Sequence, residues 1–147
     1  MPTAVELNTR RVVLGAIAGG AVWSIWSMVV NAVIMGAKYA EAESSGMLLK
    51  QPRYPLFLVY WFITLFLLAY VVAWIYASVR ATRGAGPGTA LTVGLLVGFA
   101  AGFPVNLSMA SWSPLSRSFP LWWMLDLWIG AILASLVAGW LYKEKEG

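Results

Sequence analysis

Residues 120–142, PLWWMLDLWIGAILASLVAGWLY, carry a single charged side chain, Asp126, in an otherwise uncharged run. A hydrocarbon core about 30 Å thick is crossed by roughly 20 residues rising 1.5 Å each, so a run of this length reads as a membrane-spanning helix. No water reaches the bilayer interior to satisfy backbone N–H and C=O groups, and coiling into a helix is how a single segment satisfies them itself. Within this span Gly130, Ala134 and Ala138 recur every fourth residue, with Ser135 and Gly139 alongside, and Asp126 lies one such step before Gly130. A packing face and a candidate polar site are therefore written in the same helix.

Three further uncharged runs precede it: Val12 to Ala37, Tyr54 to Val79 and Gly84 to Ser116. The expected helices are about 12–37, 54–80, 88–111 and 120–142. Hydrophobic residues make up 61% of the 147 positions and charged ones 11%, against roughly 25% in a soluble domain. Mean hydropathy is +0.76. Four spans leave no residues for a separate soluble core, so 1–147 reads as one all-α integral membrane domain, a four-helix bundle with antiparallel neighbours.

The basic residues supply orientation. Arg10, Arg11, Arg80, Arg83, Lys143 and Lys145 would lie on one side, and Lys38, Lys50, Arg53 and Arg117 on the other. Basic loops favour the cytoplasm, which predicts cytoplasmic termini. Arg10-Arg11 ahead of an apolar run has the look of a twin-arginine export signal. However, such signals carry about 7–15 apolar residues, and this run is long enough to span, so a retained anchor is expected. The polar stretch from Lys38 to Arg53 has room for a short interfacial helix around Tyr39 to Leu49. Arg80 to Gly88 reads as a Gly- and Pro-rich turn joining spans two and three. Trp61, Trp112, Trp122 and Trp123 toward one interface, and Trp74, Tyr76, Trp140 and Tyr142 toward the other, form an aromatic belt expected to anchor the protein.

Several function classes are disfavoured. The net charge of +4 is spread over loops and termini, with no basic face to follow a phosphate backbone, so nucleic acid is not an expected partner. Neither Cys nor His occurs, which removes the commonest metal ligands, general base and thiol nucleophile. With no paired acids in a span and no phosphate-binding Gly loop after a strand, no catalytic residue, metal site or cofactor is expected.

The third span carries Ala90, Gly94, Gly98 and Gly102, and the first Gly15 and Gly19 with Ala16 and Gly20. Small residues at this spacing let helix backbones approach closely in lipid. The second span has no Gly and is crowded with aromatics. Spans one, three and four are thus expected to form the tight inner packing, with span two facing lipid or a partner over much of its surface. Extending the series brings Asn106 after Gly102 and Trp23, Ser27 and Asn31 after Gly19. By rise per residue, Asn31, Tyr60 and Asp126 lie roughly 9 Å, and Asn106 about 7 Å, inside one end of the bundle. The expected polar cluster is Asn31, Tyr60, Asn106 and Asp126, with Lys38 or Arg117 able to reach it from the rim and Pro104 freeing a carbonyl nearby. An intramembrane acid is either an interhelical clamp or a ligand or ion site.

Three roles follow from these residues. One is an accessory or scaffold subunit without catalysis, binding itself or a larger membrane complex through the aromatic face of span two or the glycine faces. The second is a minimal oligomeric transporter or channel using the layer around Asp126. The third is a binder of a lipid, quinone or pigment between helices. The Gly/Trp first span (GGAVWSIW), the glycine-laddered third span and the early acid of the fourth (WWMLDLWIGAIL) resemble in layout a family of uncharacterised bacterial four-helix membrane proteins. That resemblance implies a multi-pass location in a bacterial inner membrane and assigns no activity.

Overall fold

The computed structural model describes residues 6–145, and every regular element in it is helical. Helix α1 (Thr9–Met28) starts where the Asn8 side chain accepts a hydrogen bond from the Arg11 backbone N–H at 3.3 Å. This cap satisfies one of the free N–H groups that every helix start leaves. The helix continues as a π-helical segment, Val29–Ile34, and closes with Met35 N–H donating to the Val30 carbonyl at 2.9 Å. A short helix α2 (Gly36–Ser44) follows the bend, ahead of the long helices α3 (Phe57–Arg83), α4 (Pro87–Trp112) and α5 (Ser118–Leu141). Four segments are long and apolar enough to cross a membrane: Thr9–Ile34, Phe57–Arg83, Pro87–Trp112 and Ser118–Leu141. They correspond one for one to the four expected spans, with ends displaced by up to three residues.

The displacements have local causes. Asn8 draws Arg10 and Arg11 into the first turn of α1, and the bend at Met35 stops that span early. Helix α3 runs on to Arg83 because the first residue able to leave the helix is Gly84, at φ 89°. The turn is held by the Gly86 N–H donating to the Tyr76 hydroxyl at 3.1 Å and by Thr89 Oγ1 donating to the Gly84 carbonyl at 2.7 Å. The short helix of the long loop is α2, which begins and ends earlier than the expected Tyr39 to Leu49. It packs inward, with Ala42 and Met35 buried beside Val30 and Phe119.

Helix α5 is central. One of its edges meets α1 in an antiparallel register: Gly15 lies against Ala138, Gly19 against Ala134, the Trp23 indole over Gly130, and Ser27 against Asp126. A Cβ on Gly130 would sit 2.1 Å from Trp23 Nε1, so this glycine is the space in which the fully buried indole lies. A second face meets α4, where Gly94 lies against Ile132, Gly98 against Trp128 and Gly102 against Met124. The backbones of α1 and α4 do not approach each other closely. The expectation that spans one, three and four share one tight core is therefore corrected: their small residues form two separate seams on different sides of α5.

Helix α3 closes the bundle rather than standing outside it. Leu65, Ala69, Val72, Ala73, Tyr76 and Ala77 form a buried stripe at helical spacing against α1 and α5, while Phe66 sits over Gly20. Its remaining surface is exposed, as expected. At the far end, the Asn8 N–H donates to the Tyr142 hydroxyl and Asn8 Nδ2 to the Lys143 carbonyl, each at 3.1 Å. Arg80 donates to the Tyr142 carbonyl, pairs with Glu144 and stacks 4.9 Å from the Tyr142 ring. Both ends of the described chain thus lie at one end of the bundle, as four crossings require.

The seams predict unequal responses to the same substitution. Gly94→Ala and Gly98→Ala place a methyl 2.6 and 2.8 Å from backbone atoms of α5. Each should cost about 1–3 kcal/mol in detergent unfolding followed by Trp fluorescence. Gly36→Ala, with nothing within 4 Å, should be neutral or stabilise by up to about 1 kcal/mol.

Candidate functional site

Asp126 is 1% exposed, on the edge of α5 that faces α1. Its Oδ2 accepts from Ser27 Oγ at 2.8 Å and from Asn31 Nδ2 at 2.9 Å. Each donor is itself held. Trp61 on α3 donates its indole N–H to Ser27 Oγ at 3.0 Å, and Tyr39 on α2 donates its hydroxyl to Asn31 Oδ1 at 2.7 Å. Trp123, one turn before the acid on α5, donates to the Tyr39 oxygen at 2.5 Å. Two relays therefore converge on one carboxylate oxygen, every hydrogen bond pointing toward the acid. Aligned bonds of this kind polarise and strengthen one another.

The local sequence explains how these groups meet. Ser27 and Asn31 are one turn apart on α1, and the Asn31 amide also reaches back to the Ser27 carbonyl at 2.9 Å. Asn31 lies within the π-helical segment, a wide turn that occurs preferentially at functional positions in helices. Two more indoles fix the spacing of α1 and α5: Trp23 donates to the Asp126 carbonyl and Trp26 to the Leu125 carbonyl, each at 3.2 Å. Burial is the main cause that raises the Tyr39 phenol above its ordinary value; the Trp123 hydrogen bond opposes it and the Asp126 charge adds to it. Tyr39 thus keeps the proton that it donates to Asn31.

Of the four expected members, the structure brings Asn31 and Asp126 together and leaves the other two out. Tyr60 is 54% exposed, and the residue that turns inward is its neighbour Trp61. Adjacent helical positions differ by about 100°, so one of the two had to point away. Asn106 is buried, but its amide donates to Gly102 of its own helix at 2.7 Å. The α4–α5 register sets Gly102 against Met124, so Asn106 lies beyond it toward the start of α5. Lys38 and Arg117 form no ion pair with Asp126. Ser27, Trp23, Tyr39, Trp61 and Trp123 are members that the cluster expectation omitted. Trp23 and Ser27 stood on the small-residue series of the first span. Trp61 and Trp123, assigned above to the anchoring belt, serve as donors.

The hydrogen bonds of the site join α1, α2, α3 and α5. Two surface clefts, one beside Lys38, Glu41 and Leu115 and the other beside Asn8, Arg10 and Lys143, are lined by other residues. Among the described residues, no group of three Asp, Glu, His or Cys side chains stands ready for a metal. Two buried oxygens have no hydrogen-bond partner there, Asp126 Oδ1 and Ser24 Oγ. Comparisons with protein families, curated proteins and solved structures find no match for this chain.

Asp126→Ala should destabilise the bundle by about 1–3 kcal/mol, because it strands the buried donors of Ser27 and Asn31. A double-mutant cycle of Asn31→Ala with Asp126→Ala should give a coupling of about 0.6–2 kcal/mol. The same cycle with Tyr60→Phe should give none; measurable Tyr60 coupling would contradict the geometry.

Proposed function

We propose that this chain is a multi-pass cell-membrane protein, with both termini cytoplasmic, acting without catalysis as an accessory or scaffold subunit that docks through the outer face of α3. The partner is a second copy of the chain or a larger membrane protein. Four apolar spans support the membrane location, the excess of basic residues at the terminal end supports the orientation, and the layout likeness above supports a bacterial membrane. Against catalysis stand the absence of His and Cys and the burial of the one intramembrane acid among its own chain's donors.

The observation that carries the docking role is Tyr70. It sits at the midpoint of α3, 38% exposed, and its hydroxyl has no hydrogen-bond partner among the described residues. At mid-membrane a hydroxyl facing hydrocarbon forgoes a bond that neither water nor lipid tails supply, and an acceptor on a neighbouring helix satisfies it. Ile63, Leu67 and Trp74 flank it on the same exposed stripe. The glycine seams are consumed inside the chain and are not free to serve as the docking face.

A photoreactive amino acid at Leu67, exposed on α3, should give a discrete protein crosslink in native membranes. The same probe at Leu96, exposed on α4, should give lipid adducts only. Lipid adducts alone at both sites would end the docking reading. One feature favours the minimal-transporter reading instead, the unpartnered Oδ1 of Asp126. Proteoliposomes should show no proton or cation flux with either the native chain or Asp126→Asn; flux present in the first and lost in the second would replace the scaffold reading.

A further inference from the structure

At the terminal end of the bundle, an open cleft of about 770 Å³ runs between the start of α1 and the segment after α5. It is lined by Arg10, Arg11 and Lys143 and, further along α1, by the exposed side chains of Val13, Leu14 and Ile17. The other charged residues lining it are already engaged, Glu144 by Arg80 and Lys145 by Glu6. Among the described residues, Arg10, Arg11 and Lys143 have no acidic partner.

The two walls are fixed relative to each other. Asn8 caps α1 through the Arg11 N–H and donates to the Lys143 carbonyl, so one side chain braces both sides of the rim. Below it, Arg10, Val13, Leu14 and Ile17 follow the spacing of a single helix face, and Val13, Leu14 and Ile17 are 42%, 42% and 57% exposed. Ile17 lies about 10 Å further along the axis than Arg10. Charge at headgroup level passing into an apolar wall at acyl depth is the complement of a lipid lying along a helix, and basic pockets between spans at this level hold anionic head groups.

We propose that this cleft is a binding site for an anionic phospholipid, its phosphate held by Arg10, Arg11 and Lys143 and one acyl chain laid along Val13, Leu14 and Ile17. The inference rests on the membrane location proposed above and is independent of the docking role of α3. Charge complementarity selects an anionic head group over a zwitterionic one, and the apolar wall selects a lipid over free phosphate.

The test is native mass spectrometry of the full chain in mild detergent, with phosphatidylglycerol and phosphatidylcholine of the same acyl chains. The native protein should retain phosphatidylglycerol preferentially, and 10 mM inorganic phosphate should not displace it. Each of Arg10→Gln, Arg11→Gln and Lys143→Gln should weaken that retention about five-fold, and the triple variant on the order of a hundred-fold. Lys38→Gln with Arg53→Gln, at the opposite end, should leave it unchanged. Ile17→Asn should weaken both lipids, as expected if a chain lies on that wall. Folding of each variant is checked by far-UV circular dichroism, and the single variants carry the test if the triple does not fold. Equal retention of both lipids, displacement by phosphate, or no loss in the folded rim variants would overturn the proposal. A chain that does not insert into liposomes would instead sink the membrane reading itself.

Discussion

Close approach of backbones along α5 is the constraint on which the bundle depends. In a bilayer, apolar side chains gain little by leaving lipid for one another, so helices hold together by contact area and by the few polar bonds they can exchange. Helix α5 serves two neighbours at once. Against α1 it presents Gly130, Ala134 and Ala138, and against α4 it receives Gly94, Gly98 and Gly102 from the partner's side. The economy differs at the two seams. Toward α1 small residues face small residues until Trp23 fills the space over Gly130, while toward α4 the glycines of one helix accept the bulk of Trp128 and Ile132 on the other.

The polar network depends on that first seam. Only because α1 and α5 are in register from Gly15 and Ala138 upward do Ser27 and Asn31 arrive beside Asp126. A shift of one turn that set Asp126 opposite Trp23 would take the buried carboxylate away from both Ser27 and Asn31, a costly arrangement in hydrocarbon. The network in turn selects the register, since other alignments lack its hydrogen bonds. It also ties α2 to the bundle: Tyr39 is bonded to Asn31 and Trp123 and packs edge-on against Phe119 at 5.4 Å. The carboxylate thus organises four elements through donors of its own chain.

What the bundle leaves outside is as informative as what it encloses. The interior is closed by α1, α3 and α5, with α4 held mainly on the far side of α5. The outer stripe of α3 exposes a phenol and an indole, and the terminal end gathers cations beside exposed apolar side chains of α1. Both surfaces combine apolar area with polar groups that lack partners among the described residues.

Four spans, their helical state and the presence of both a packing seam and a membrane acid were legible in the residues, because hydrocarbon admits few alternatives to a helix and small residues at a four-residue spacing have few uses besides contact. The pairing of Asn31 with Asp126 was legible too, since both stand on extensions of small-residue series. Which series met which was not. Spacing along one helix says nothing about whether two faces of a neighbour lie on the same side, so Asn106 was placed in the cluster although its seam lies elsewhere on α5. Nor does depth alone tell Tyr60 from Trp61, which share a level and differ only in direction. The tertiary structure decided direction and register, because these follow from simultaneous packing of three helices around a fourth and not from any one of them.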